Sequence, residues 1–251
     1  MLEIKDLSVR FGRRQVLDQV SFALQPHRLT VLVGRNGSGK STILNCVNQQ
    51  LPYKGTITDG TVDLARMLPR ERAKAIGILP QSIPAPHITG REMAAFGRNP
   101  YLDFTGRLTE EDLQAVERAM AEADALDLAE RYVDTLSGGE KQRILLAMIL
   151  AQNTPTLLLD EPTAHMDLHH EAAFLSRLRD LKAEKTILVI LHDLNLAAEY
   201  ADDVIVLDGG KVVFAGTREA CLEGEVLEKT FNLRRYSVKD GEKERIFFGT
   251  K

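Results

Sequence analysis

Lys40 lies in the run Gly34-Arg35-Asn36-Gly37-Ser38-Gly39-Lys40-Ser41-Thr42. The spacing is G-x-x-x-x-G-K-S, which suits the cradling of a phosphate chain. Glycines let a backbone wrap closely around an anion. Free amides at a helix N-terminus and the helix dipole both favour phosphate. In such a loop the lysine, here Lys40, reaches the β- and γ-phosphates, and the following hydroxyl, Ser41, ligates Mg²⁺. A second group is acidic. Asp160 and Glu161 follow the apolar run Leu157-Leu158-Leu159. An acid at a strand end can organise Mg²⁺, and its neighbour can polarise an attacking water. Two further polar residues follow apolar runs, Gln81 after residues 76–79 and His192 after residues 186–191. On pattern alone His192 is either a packing histidine or an active-site contact, and Gln81 is a polar loop residue.

The flanking elements position these groups. Residues 29–33 read as a buried strand before the glycine loop, and residues 42–51 as an amphipathic helix after it. Residues 156–160 and 186–191 are further buried strands, with helices predicted over 171–181 and 194–200. Buried strands alternating with helices give an α/β fold with a mainly parallel sheet. Ligands of such sheets sit beyond the carboxyl ends of the strands. The glycine loop, Asp160-Glu161 and His192 all stand at such ends, so the fold class predicts that they converge.

Elsewhere the N-terminal residues 2–9 and 16–24 alternate as half-buried strands, with the turn near Gly12 and Phe11 at the end of the first. Phe11 reads by pattern as a core aromatic. Asp59-Gly60 marks a turn between short strands. Residues 69–74 are charged and helical in pattern. From Ser82 the texture changes to proline and glycine punctuation, then to a capping box at Thr109-Glu110-Glu111-Asp112. The helix that follows is expected to bury Leu113, Val116 and Met120, and a second helical pattern covers 127–132. Residues 204–207 and 212–214 read as a hairpin about Asp208-Gly209-Gly210. The segment from Cys221 is mixed, charged and too short for a further domain.

The composition narrows the function. The chain has 251 residues and a net charge of −4, against the basic patches on which nonspecific nucleic-acid binding rests. No apolar run is long enough to span a bilayer, and the first residues lack a signal peptide's apolar stretch, so a cytosolic protein is expected. Cys46 and Cys221 make no disulfide framework and read as packing residues.

The run Leu136-Ser137-Gly138-Gly139-Glu140, between the glycine loop and Leu157–Glu161, resembles the signature motif of the nucleotide-binding subunits of ABC transporters. The resemblance extends from Leu2 to about Gly216. It implies a P-loop NTPase core with an N-terminal antiparallel β subdomain and an inserted helical subdomain. The whole of 1–251 is then one ATPase domain, with 1–81 and 136–251 as the core and 82–135 as the insert. ATP and Mg²⁺ are the implied cofactors. Asn36, Gly37, Ser38, Gly39, Lys40, Ser41 and Thr42 hold the nucleotide. Gln81 matches the Q-loop, in contact with Mg²⁺ and the reacting phosphate. Asp160 matches the Mg²⁺-organising acid, Glu161 the catalytic acid and His192 the switch histidine. Asp167 matches the D-loop aspartate. Phe11 matches the aromatic that stacks on adenine, which reverses its reading as core. The D-loop, Ala164-His165-Met166-Asp167, departs from the usual Ser-Ala-Leu-Asp, with His165 expected as an exposed loop residue.

The resemblance also implies partners. Two copies pack head to tail as an ATP-bound homodimer, each ATP lying between the P-loop of one and Ser137–Gly139 of the other. Integral-membrane permease subunits, and indirectly a periplasmic or surface substrate-binding protein, complete the assembly at the cytoplasmic face of the plasma membrane. Nucleic acid is not a partner. The run Gly97-Arg98-Asn99-Pro100-Tyr101-Leu102 is similar to importer ATPases for iron-siderophores, haem and cobalamin. So is His192-Asp193-Leu194-Asn195-Leu196-Ala197-Ala198. Tyr101 is expected on an exposed permease-docking surface over 88–101. The rival readings are an exporter or other importer subunit, a soluble ABC ATPase of translation or repair, and a P-loop metabolite kinase. The last has no use for residues 136–140.

Overall fold

Alternating apolar residues build the first strands. β1 (Leu2–Phe11) buries Leu2, Ile4, Leu7 and Val9 and pairs antiparallel with β2 (Arg14–Ala23). Gly12, at φ 59°, supplies the left-handed turn between them. β3 (Leu29–Gly34) is buried along its whole length, as a strand covered on both faces must be. α1 (Lys40–Val47) follows the glycine loop. It ends before the expected Leu51, because Gln49 takes a φ of 61° that no α-helix continues. β4 (Lys54–Asp59) pairs with β1, and β5 (Val62–Asp63) returns around Gly60, giving an antiparallel sheet in the order β2-β1-β4-β5. The structure, a computed structural model, describes residues 1–164, 166–240 and 243–250. It divides into two units, Met1–Arg66 with Thr186–Lys251, and Met67–Lys185.

The second unit begins with α2 (Pro69–Ala75) and β6 (Ile76–Leu79). α3 (Gly90–Ala95) and α4 (Glu110–Glu122) pack against α5 (Gly138–Ala151), whose residues 144–147 and 149–151 are buried. Thr109 and Asp112 form the expected capping box of α4. Val116 and Met120 are buried in α4, but Leu113 is 46% exposed and lies off the buried stripe. The helix predicted over 127–132 is replaced by two short 3₁₀ turns, Leu126–Leu128 and Val133–Thr135. β7 (Thr156–Asp160) pairs parallel with β6, and α6 (Leu168–Leu181) starts three residues earlier than expected, capped by Asp167.

The run 97–102 also changes its reading. Tyr101 is half-buried, with its hydroxyl donating to the Gln152 carbonyl at 3.0 Å and the Arg98 guanidinium 3.8 Å from its ring centroid. Arg98 in turn donates to Asp112 at 2.8 Å, both side chains buried. A Cβ on Gly97 would lie 2.0 Å from the Met148 carbonyl oxygen. The run therefore clamps the chain onto the end of α5, and Tyr101 is a packing residue rather than an exposed docking position.

The chain then returns to the first unit. β8 (Thr186–Ile190) and β9 (Asp203–Asp208) both pair parallel with β3, with α7 (Leu194–Tyr200) between them. β10 (Lys211–Thr217) turns back antiparallel on β9 around Gly209 and Gly210. The order in this unit is β10-β9-β3-β8, a mainly parallel arrangement. α8 (Arg218–Glu223), α9 (Val226–Phe231), and the hairpin of β11 (Leu233–Asp240) and β12 (Lys243–Thr250) complete it. These last elements were not legible in the mixed composition of that segment. β12 is held to α7 by the Phe248 amide, which donates to Asn195 Oδ1 at 2.7 Å, and by the buried Phe248 ring.

Candidate active site

The first unit carries the phosphate loop. A Cβ on Gly34 would sit 2.4 Å from the Leu207 carbonyl oxygen and 2.6 Å from Ser38 Oγ, so only glycine fits where β3 ends. Gly37 and Gly39 have φ of 76° and 108°, conformations that other residues rarely adopt. With Gly34 they leave a strip of backbone before α1 in which three of six residues carry no side chain. The N-terminus of α1 has no side-chain cap and no acid in its first turn, so its amides and dipole face the loop. Lys40 is 5% exposed, and its Nζ donates to the carbonyl oxygens of Gly34 at 2.8 Å and Arg35 at 3.4 Å. Ser38 Oγ is buried with no hydrogen-bond partner among the described residues. Leaving such a hydroxyl unmatched costs about 1–3 kcal/mol, which a phosphate oxygen would recover. The strip, the cation and the unmatched hydroxyl fit a nucleotide's phosphates. Ser41 and Thr42 stand half-buried in the first turn of α1.

Phe11 ends β1 with half its surface exposed, so it is not a core aromatic. His192 lies beyond β8. Leu32 and Ile190 are register partners, and the Leu191 amide donates to the Leu32 carbonyl at 3.3 Å. The glycine loop and His192 thus leave the carboxyl ends of adjacent parallel strands, where α/β folds bind ligands.

The second unit brings Gln81 and Glu161 together for a similar reason. Leu79 and Leu159 are register partners in β6 and β7, and each polar residue stands two positions further on. Gln81 Nε2 donates to Glu161 Oε2 at 2.6 Å. Glu161 has φ 50°, a left-handed conformation that costs a non-glycine residue about 1–2 kcal/mol. Strain of this kind is tolerated where the side chain's aim matters. Asp160, 6% exposed, is the last residue of β7. The oxygens of Ser41, Gln81 and Asp160 are donors of the hard type that Mg²⁺ takes, with one carboxylate among them.

Residues 136–140 form the start of α5. Ser137 Oγ accepts from the Glu140 amide at 3.4 Å, and Glu140 accepts from the Ser137 amide at 2.8 Å. That is a capping box, so in the isolated chain Ser137 serves its own helix. The Ser137 amide and hydroxyl, with Arg131 beside them, hold the Glu140 carboxyl down at about 2. Asp167 caps α6 by accepting from the His170 amide at 3.0 Å.

The family model described as ABC transporter matches residues 17–164, more than half of the chain. This chain belongs to the ABC transporter family. It is an ATP-hydrolysing transport subunit of that family. FhuC of Bacillus subtilis, an iron(3+)-hydroxamate import ATP-binding protein, is 35% identical over 95% of this chain and 90% of its own. HmuV of Nocardia farcinica, a hemin import ATP-binding protein, is 43% identical over 87% of this chain and 76% of its own. A solved structure described as a metal-chelate type ABC transporter, inward-facing, superposes with a TM-score of 0.86 at 25% identity, covering 99% of this chain and 96% of that one.

Sequence reasoning missed two contacts of this ABC ATPase. Lys141, one turn into α5, donates to the Ile83 carbonyl at 2.7 Å and ties the segment after Gln81 to the signature helix. His170 Nδ1 lies 2.9 Å from both Asp167 carboxylate oxygens. The spacing Asp167-x-x-His170, an N-cap followed three positions later by a hydrogen-bonding side chain, was a readable signal for the second. His165 lies outside the described residues. Cys46 and Cys221 are both buried, and burial pushes their thiols up to about 11 and about 12.

Proposed function

We propose that this chain powers uptake of a metal chelate of the ferric-siderophore, haem or cobalamin type through a separate membrane permease. The observation that carries the reading is the near full-length likeness to import ATP-binding proteins for such compounds. The metal-chelate transporter structure, matched over 99% of this chain, supports it. Among the described residues no helix is long and apolar enough to cross a membrane.

In this reading Asn36, Gly37, Ser38, Gly39, Lys40, Ser41 and Thr42 hold the phosphates, and Phe11 stacks on the base. Ser41, Asp160 and Gln81 hold Mg²⁺, which when bound neutralises charge on the phosphates. Glu161 takes the proton of the attacking water, and His192 orients the reacting phosphate. Ser137, Gly138, Gly139 and Asp167 complete the second face of the nucleotide in a head-to-tail homodimer. ATP closes that dimer because it contacts both halves only when they are together. The insert, 82–135, bears on the permease at the cytoplasmic face of the membrane, and a substrate-binding protein delivers the chelate outside.

Glu161→Gln tests the chemistry. It keeps shape and removes the base, so single-turnover hydrolysis should fall by about 10²–10⁴-fold while ATP binding persists. Near wild-type hydrolysis would overturn the assignment. The substrate class is tested with the permease copurified and reconstituted. ATP-dependent uptake of a ferric siderophore, haem or cobalamin is the expected result, and export or uptake of an unrelated solute the contrary one.

A further inference from the structure

Adjacent residues in the first turn of α5 hold two different segments. The Glu140 carboxylate is paired with Arg131, on the stretch that leads into the signature run. The Lys141 ammonium donates to the Ile83 carbonyl at 2.7 Å, two residues past Gln81. The two segments are also bonded to each other. The Val133 amide donates to the Ile88 carbonyl and the Gly90 amide to the Arg131 carbonyl, both at 2.9 Å. His87 stacks on Tyr132 and lies 2.9 Å from Asp134. Residues 80–86 form neither helix nor strand, and Pro80, Pro84 and Pro86 have no N–H to donate. A stretch so short of donors takes its shape from groups outside it. Lys141 holds it at its middle.

We infer that Lys141 is a positioning residue for ATP hydrolysis, carrying the position of Gln81 into the turn that starts at Ser137. The inference rests on the roles proposed above for Gln81 and for residues 137–139. Gln81 Nε2 is bonded to Glu161 Oε2 at 2.6 Å. Two residues further on, the Ile83 carbonyl meets Lys141. The Lys141 amide donates in turn to the Ser137 carbonyl at 2.9 Å. The alternative route, out to Ile88 and back from Val133 to Ser137, is longer and crosses Pro84 and Pro86. An ammonium donor makes a charge-assisted bond, about twice as strong as one between neutral groups. Lys141 is half-buried, so water competes less for its donors than it would at an exposed lysine.

A displacement of Gln81 relative to Glu161 then moves the start of α5 with it. In the proposed homodimer Gln81 and Glu161 serve the nucleotide of their own copy, and Ser137–Gly139 face the nucleotide of the other. Lys141 thus links the residues that act on one nucleotide to the turn offered to the second. Glu140 keeps that turn intact through the capping box and the pairing with Arg131. Lys141 takes no part in the box, so its loss leaves the helix end formed while freeing the segment after Gln81.

The test compares wild type, Lys141→Met, Lys141→Arg, Gln81→Ala and the double variant Gln81→Ala/Lys141→Met, each assayed with the copurified permease. Methionine keeps the apolar stem and removes the donor, and arginine keeps a charged donor. Lys141→Met should lower kcat about three- to tenfold, with nucleotide affinity of the isolated subunit unchanged, and Lys141→Arg should recover most of the loss. In the Gln81→Ala background Lys141→Met should change kcat by less than about twofold, because the two act in one path. Fully additive losses would overturn the inference. So would a loss that Lys141→Arg does not recover and that comes with a melt lowered by more than about 5 °C, which returns Lys141 to fold stability alone. A second readout needs no ATPase. Gln81→Ala should shift the amide resonances of Gly138 and Gly139, and the shift should fall by more than half in the Lys141→Met background. An undiminished shift would overturn the inference. Wild-type kcat in Lys141→Met alone places the failure in the tie. Wild-type kcat in Gln81→Ala as well places it in the role proposed for Gln81, and either result overturns the inference.

Discussion

Two helices of this molecule begin in glycine-rich turns, and they treat their N-termini in opposite ways. α1 starts after Gly37 and Gly39 with no side-chain cap and no acid in its first turn. α5 starts at Gly138 behind a full capping box made by Ser137 and Glu140. The amides at the start of a helix need partners from somewhere. In α1 no side-chain cap supplies them, and Lys40, the first residue of the helix, is buried. In α5 the chain supplies its own carboxylate. The difference shows that glycine content does not by itself make a self-sufficient phosphate site. α1 leaves its first-turn amides to groups other than its own cap, whereas α5 supplies a cap from its own sequence.

Lys40→Ala should break the α1 side of this comparison most severely. Removing a charge-assisted contact costs about 1.5–3 kcal/mol, or about 10–150-fold in nucleotide affinity. Titration calorimetry on the isolated subunit checks it, with Ser137→Ala as the contrast that leaves affinity nearly unchanged. Equal losses in both would make the two helix ends equivalent.

Gly39→Ala comes next. A Cβ there would lie 2.5 Å from Leu17 Cδ2, and φ 108° is strained for alanine. We expect a loss of about 1–3 kcal/mol in stability together with loss of nucleotide binding. A melt close to wild type would show that the loop relaxes without cost.

Glu140→Gln sharpens the α5 side through pH. The Glu140 carboxyl sits at about 2 in the folded chain, against an ordinary 4.5. A depressed folded value stabilises above the unfolded one and is lost as pH falls through the folded one. Glutamine keeps the box geometry without the charge. The variant should melt a few degrees lower at pH 7, by about 0.5–1 kcal/mol, and the gap should close as pH falls from about 4.5 towards 2. A gap that did not depend on pH would remove the charge from the explanation.

Gly139→Ala should have the smallest effect on stability. Its Cβ would make ordinary contact with His170, and alanine gains up to about 1 kcal/mol over glycine within a helix. The isolated subunit should melt at or slightly above the wild type, and its ATPase should fall if, as proposed, Gly139 belongs to the nucleotide-binding turn. Wild-type turnover would argue that α5 never meets the nucleotide.

Much of this molecule could be read locally. Strand β6 over Ile76–Leu79, strand β7 over Thr156–Asp160 and helix α7 over Leu194–Tyr200 stand where their apolar periods predict. The Thr109 capping box is likewise a short-range pattern whose partners lie three residues apart. The errors of side-chain burial have one physical origin. Phe11, Leu113 and Tyr101 have side chains whose burial depends on what lies opposite them, and that partner is distant in sequence. Tyr101 is held by Gln152, on another element. The hairpin of β11 and β12 likewise depends on pairing and on its anchor at Asn195.

The phosphate loop needs only backbone freedom at three glycines and one lysine within nine residues, so its chemistry is determined by the order of residues along the chain. The pairing of Gln81 with Glu161 is different. It exists because β6 and β7 lie parallel with Leu79 opposite Leu159. A shift of one residue would turn every side chain to the other face. A Cβ built on Gly139 would come within 3.4 Å of His170 Cγ, which requires α6 to lie against the start of α5. Local conformation follows from each residue's own steric preferences, whereas register and helix packing are settled by what the whole chain can bury. That is why residue types and spacing reveal the phosphate chemistry, and only the folded chain shows which side chains hold it in place.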